Sequence, residues 1–244
     1  KTLDWDLWTG PAKLGRYNSK ICPKGWRWWW NYGLGGLGDI GCHTLDIPKY
    51  ALGLGYPCSV HVDNSINYSH EVHDKKPKVG ANTYVYEFAR PGMANLKVHW
   101  YEGGHLPKLP ASLKATHTRK DLGGGCLLIG DKNTIYSPGM RPTDPRLLDH
   151  WPELSKQLPS KSLPRAAGNP VPELFAAIRG DIKKCGSNFD YAVPLTEMVI
   201  LGTIAKRTGK TVHYLPETMS FTDPSLNEFV KEPIRAGWEY GESI

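Results

Sequence analysis

Two runs of alternating side chains, joined by a tight turn, constrain this chain most. Thr83–Phe88 sets Tyr84, Tyr86 and Phe88 on one side and Thr83, Val85 and Glu87 on the other. Ala94–Tyr101 sets Leu96, Val98 and Trp100 opposite Lys97, His99 and Tyr101. A period of two belongs to an extended strand, whose successive side chains point to opposite faces. Arg90-Pro91-Gly92 between them carries turn chemistry, so the spacing predicts an antiparallel hairpin of half-buried strands. Cys58–Tyr68 repeats the pattern with Val60 and Val62 on one face, and Cys126–Gly130 and Thr134–Tyr136 flank a second turn at Asp131-Lys132-Asn133.

Helical spacing lies outside this block. Gly38–Gly53 reads as a helix that Pro48 kinks or delays. Pro172–Arg179 carries Leu174, Phe175 and Ile178 at helical intervals and stops at Gly180. Pro194–Thr208 carries Leu195, Met198, Val199, Leu201 and Ile204, with Lys206 and Arg207 in the last turn favouring the dipole. Glu197 inside that helix reads as a partnered carboxylate or a helix-start charge rather than a catalytic group. Val212–Leu215 is a short strand, and Thr143–Asn169 reads as a long polar excursion at the surface. Helix, strands, then helices is not the alternation of a wound parallel sheet. It predicts an α+β fold, a mostly antiparallel open sheet with helices packed on one face, and one domain over residues 1–244.

Composition narrows the class. With 40% apolar and 22% charged residues the chain fits a globular protein and not a disordered one. Its formal charge of +6 is spread out; the longest basic cluster, Lys75-Lys76-Pro77-Lys78, reads as a solvated loop, and no nucleic-acid motif accompanies it. No apolar run approaches the ~18 residues that cross a bilayer. The five cysteines form no CxxC pair, so reduced, partly buried thiols are expected rather than a disulfide framework or a structural zinc site. The chain opens at Lys1, not Met, which reads as a processed or cut end with an upstream part missing. Lys1–Gly38 has no clean period, and its tryptophans, among them Trp26, Trp28, Trp29 and Trp30, are expected to anchor an irregular segment.

Chemistry concentrates at Asn31–Asp46, NYGLGGLGDIGCHTLD. On a helix, Asp39, His43 and Asp46 fall on one face, though the break at Pro48 weakens the alignment of Asp46. Histidine titrates near neutrality, so His43 is the candidate acid–base group and Asp39 the group that orients or binds substrate. Trp30, Tyr32, Asp46 and His105, the last in the Gly103-Gly104-His105 loop, are candidate substrate contacts. Gly33-x-Gly35-x-x-Gly38 has the form of a dinucleotide loop, but Trp28–Tyr32 before it is no apolar strand, so a dinucleotide site is rejected and the glycines are expected to shape a substrate pocket. No residue is assigned to a cofactor or a metal.

The segments LDWDLWTGPA (Leu3–Ala12), GWRWWWNYGLGGLGDIGCHTLD (Gly25–Asp46), KVHWYEGG (Lys97–Gly104), GGCLLIGDKNTIYSPG (Gly124–Gly139), FDYAVPLTEMVILGTIAKRTGK (Phe189–Lys210) and IRAGW (Ile234–Trp238) resemble the Gfo/Idh/MocA oxidoreductases, in particular their tryptophan-rich bacterial branch. The resemblance implies the C-terminal domain alone, with the N-terminal Rossmann domain and its catalytic lysine motif absent. It implies NAD or NADP in the full-length protein and none held by this chain. It also implies a sugar, inositol or related polyol as substrate, His43 as proton acceptor, and a homo-oligomer formed through the open sheet face. A cytoplasmic location is expected, with the periplasm as the alternative. Two other readings remain open at this point: part of an NAD-dependent glycoside hydrolase of the same architecture, and a stand-alone carbohydrate-binding or assembly module.

Overall fold

The computed structural model describes residues 2–63, 82–109, 124–141, 144–163 and 170–239. The basic cluster Lys75–Lys78 and the end of the strand expected over Cys58–Tyr68 lie outside them. The chain divides into two compact units, one of Lys1–Gly41, Tyr56–Pro107 and Met198–Ile244, the other of Cys42–Gly55 and Lys108–Glu197.

The first unit begins with helix α1 (Trp5–Thr9), capped by the Asp4 carboxylate on the Leu7 amide at 3.1 Å. Stacking fixes the irregular N-terminal segment, as its tryptophans predict. Trp5 and Trp8 lie 4.8 Å apart and nearly parallel, and Tyr32 packs 5.0 Å from Trp8. Arg235 ties the segment to the far end of the chain through Asp6 at 2.6 Å and the Gly10 carbonyl at 2.8 Å.

Strands β1 (Ser59–Asp63), β2 (Asn82–Phe88) and β3 (Leu96–Glu102) form an antiparallel sheet in the order β1-β2-β3, with Tyr86 opposite Val60 on one side and Val98 on the other. The hairpin closes at the expected turn, where the Met93 amide bonds the Arg90 carbonyl at 3.1 Å. The central strand β2 is buried on both faces, since Thr83 and Val85 are as hidden as Tyr84, Tyr86 and Phe88. A strand paired on both edges gives up its water on both sides once its faces are covered, so alternation in its sequence did not mean a wet face.

The second unit carries β4 (Gly125–Ile129) and β5 (Thr134–Pro138), paired across the expected Asp131-Lys132-Asn133 turn, with the two-residue strand β6 (Arg146–Leu147) alongside β5. The polar stretch after residue 143 is therefore not wholly irregular; it also forms a short helix at Trp151–Leu154 and a 3-10 turn at Ser155–Gln157. In the first unit, β7 (Tyr214–Leu215) pairs with β8 (Ser220–Phe221), and Val212 bridges to Val60. The α+β class holds, but among the described residues the strands form three small antiparallel sheets, not one open sheet.

Helix α2 (Gly35–Thr44) is followed by α3 (Asp46–Leu52), which ends at Gly53. The sequence predicts one helix; the structure breaks it at Leu45. The break puts Pro48 in the first turn of α3, where an amide has no intrahelical acceptor to lose. After α4 (Trp151–Leu154), α5 runs over Pro170–Arg179 and α6 over Phe189–Thr208. Helix α6 begins earlier than expected and holds Pro194 near its start. Met198, Val199, Leu201 and Ile204 are buried as their spacing predicts. Among the described residues no helix is long and apolar enough to cross a membrane, and all five cysteines are free, with Cys42 and Cys58 exposed.

Candidate functional site

Asp39 and His43 both lie on α2, one turn or about 6 Å of axis apart. Both are exposed. Asp39 accepts from Nε of Arg27 at 3.1 and 3.2 Å, and the Arg27 guanidinium lies 4.7 Å over the Trp26 ring. The pair leaves about a third of each side chain or more in water, at 40% for Arg27 and 34% for Asp39. Arg27 was not foreseen as a site residue. Its place within GWRWWW carries no periodic signal, and only the fold brings it to Asp39.

Asp46 does not extend that stripe. It opens α3 beyond the break, and the Tyr191 phenol donates to its Oδ1. Burial, and then the Asp46 carboxylate, push the Tyr191 phenol up. Lys49, only 7% exposed, donates from Nζ to the Leu54 carbonyl at 2.9 Å and lies 5.3 Å over the Tyr191 ring. Burial lowers its pKa, and Asp46 opposes the shift. The carboxylate expected to meet substrate is thus engaged within a small network of its own unit.

The other candidates are also engaged. The Arg207 guanidinium covers the Trp30 ring at 4.5 Å, and Tyr32 packs in the Trp5–Trp8 cluster. Nδ1 of His105 is 3.1 Å from Oγ1 of Thr83, which holds the loop residue against the end of β2. Among the described residues no group of three His, Cys, Asp or Glu side chains is placed to hold a metal ion.

The glycine run faces its own chain. A Cβ on Gly36 would stand 2.9 Å from Oε2 of Glu102 and 3.8 Å from the Trp28 ring. A Cβ on Gly38 would stand 2.6 Å from the Leu34 side chain and 2.7 Å from the Gly33 carbonyl. The preceding residues form a 3-10 turn at Gly25–Trp28, not a strand. These residues do not fit a dinucleotide, whose pyrophosphate needs a strand–turn–helix with open backbone amides. The pocket role expected for the glycines becomes, at Gly36, a packing role.

Beneath Gly36 lies the centre that sequence reasoning missed. Oε1 of Glu102 accepts from Nζ of Lys206 at 2.8 Å and from the Asn82 amide and the Tyr84 hydroxyl at 2.9 Å each. Buried carboxylates persist when paired and hydrogen-bonded in this way. Glu102 falls at the end of a strand pattern and Lys206 in a helix end that looked like a dipole effect. Neither position announces burial.

Residues 1–85 match the family model described as the oxidoreductase family, C-terminal alpha/beta domain, of the Gfo/Idh/MocA type. The match covers Asp39, His43 and Asp46 and supports the resemblance drawn from the motifs. No curated protein matches the chain.

Proposed function

Proceeding from the match of residues 1–85 to the C-terminal domain of Gfo/Idh/MocA oxidoreductases, we propose that this chain is the substrate-binding half of an NAD(P)-dependent oxidoreductase acting on a sugar, inositol or related polyol. The observation that carries the reading is the placement of Asp39 and His43 one turn apart on an exposed stretch of α2 inside the matched span. His43 accepts the proton of the substrate hydroxyl as that carbon is oxidised, because an imidazole can hold a proton near neutral pH while an alkoxide cannot form unaided. Asp39, which pairs with Arg27, accepts a hydrogen bond from a neighbouring hydroxyl. The nicotinamide, in this reading, is bound by a Rossmann domain outside these 244 residues, and the working protein is a homo-oligomer.

The test uses the chain joined to its Rossmann domain, with a panel of polyols and NADH formation as readout. His43→Ala is expected to depress turnover by a hundredfold or more, of the order general acid–base catalysis contributes. Turnover within about threefold of the parent, a barrier change under ~0.7 kcal/mol, would remove His43 from the chemistry. Glycoside hydrolysis without net NADH would move the protein to the hydrolase class.

A further inference from the structure

Four tryptophans crowd into GWRWWW, and three of them are covered. Trp29 is 7% exposed, Trp26 lies under the Arg27 guanidinium at 4.7 Å, and Trp30 lies under that of Arg207 at 4.5 Å. Trp28 is 40% exposed. Among the described residues it makes no ring contact, no cation contact and no hydrogen bond. It closes the 3-10 turn Gly25–Trp28, and Cζ3 of its ring stands 3.8 Å from where a Cβ on Gly36 would be. Gly36 and Asp39 are three residues apart on α2, so they share one side of the helix. A bare indole thus borders the first turn of the helix whose next turn carries Asp39. At 40% of an aromatic side chain of ~200 Å², it leaves ~80 Å² for a ligand on α2 to cover.

The two neighbours ask for different groups. The indole face is the negative pole of the ring quadrupole and takes C–H bonds or another apolar surface. The Asp39 oxygens take hydroxyl hydrogens. A saturated ring with equatorial hydroxyls offers both at once, with axial C–H bonds on its face and hydroxyls at its rim. An open-chain polyol must freeze several rotamers to present such a face, and that ordering costs affinity. A ring without hydroxyls covers the indole and brings Asp39 no donor. We propose that Trp28 is a specificity-determining residue, the platform on which the C–H face of a hydroxylated ring rests while a rim hydroxyl reaches Asp39, and that it selects rings over open-chain polyols. The inference rests on the polyol-binding role proposed for α2 and narrows it.

The probes are methyl β-D-glucopyranoside, myo-inositol, D-sorbitol and tetrahydropyran, titrated against the 244-residue chain while tryptophan indole and backbone amide resonances are followed. At least one of the two hydroxylated rings is expected to shift the Trp28 indole N–H and the Asp39 amide saturably. Sorbitol and tetrahydropyran are each expected to bind at least tenfold more weakly. Trp28→Ala, and Trp28→Leu, which keeps apolar bulk without a flat face, are each expected to weaken ring binding by about tenfold and to leave sorbitol unchanged; Trp28→Phe should recover most of the loss. No saturable shift from either ring, shifts that leave Trp28 unmoved, or a preference for rings over sorbitol that survives Trp28→Leu would overturn the proposal. The Trp28→Leu comparison stands even if Trp28→Ala fails to fold. Ring binding at Trp28 without NADH formation in the proposed full-length oxidoreductase would remove the redox reading and keep this inference. NADH formed equally from rings and sorbitol, with or without Trp28, would do the reverse.

Discussion

Nζ of Lys206 lies 2.8 Å from Oε1 of Glu102, and the two side chains are 8% and 13% exposed. They are 104 residues apart in the chain. The ammonium also sits 5.6 Å over the Tyr84 ring, whose hydroxyl bonds the same carboxylate oxygen. Two charges with so little water are tolerable only together, because each supplies the solvation the other has lost.

Removing one of them should therefore be costly. Lys206→Met is expected to destabilise the fold by ~3–5 kcal/mol in urea unfolding, since it strands the Glu102 carboxylate. Adding Glu102→Leu should recover part of that loss. It should not recover all, because the Tyr84 hydroxyl and the Asn82 amide lose their shared acceptor. A single-mutant cost under ~1 kcal/mol would mean that the pair is solvated in a way its burial does not allow.

Gly202 and Tyr86 make a second long-range fit. A Cβ on Gly202 would run into the Tyr86 hydroxyl and stand 2.6 Å from the Leu37 side chain. Tyr86 is fully buried and its hydroxyl has no hydrogen-bond partner among the described residues. Gly202→Ala should cost ~1–3 kcal/mol through overpacking, despite the gain in helix propensity that alanine brings. Tyr86→Phe alone should be nearly neutral, and combined with Gly202→Ala it should relieve part of the clash. Additive losses in a double-mutant cycle would show that the two residues do not touch.

What was legible in the sequence was local. The β2–β3 and β4–β5 hairpins follow from a period of two beside turn residues, and each pairs strands that adjoin in the chain. The buried side of α6 follows from helical spacing in the same way. The break at Leu45 was half legible, because Pro48 signalled trouble without saying which side would give way. Glu102 with Lys206, Asp46 with Tyr191 and Asp39 with Arg27 were not legible. Each pairing depends on where distant elements dock, and a side chain's periodic position does not name its partner. Gly36 misled for the same reason: a glycine that admits a ligand and one that admits a neighbouring carboxylate look alike in one dimension.

Cys126 sets an alkaline limit. Burial pushes its thiol up to about 11 from an ordinary value of 9.0. Between those values the unfolded chain has lost a proton that the folded chain keeps. Stability is thus fully present below about pH 9 and lost as pH rises through about 11, by at most ~1.4 kcal/mol per pH unit from this group. Cys126→Ser does not titrate in this range, so its unfolding midpoint should fall less steeply there. Superimposable pH profiles for the two proteins would show that the thiol is not protected by the fold.

Asp39 and Arg27 separate chemistry from stability. Their ion pair is about one-third exposed, so it should contribute no more than ~1 kcal/mol to folding. Asp39→Asn and Arg27→Ala break the same pair from opposite sides, and both should leave the urea midpoint nearly unchanged. Their effects on turnover in the proposed full-length oxidoreductase should differ. Asp39→Asn removes the carboxylate proposed to meet substrate and is expected to lower kcat/KM by about tenfold or more, ~1.4 kcal/mol of transition-state binding. Arg27→Ala leaves that carboxylate in place and should lower kcat/KM by less than half as many orders of magnitude. Equal losses in the two variants would place the origin of the effect in the pair itself, with Asp39 acting only to hold Arg27 over Trp26.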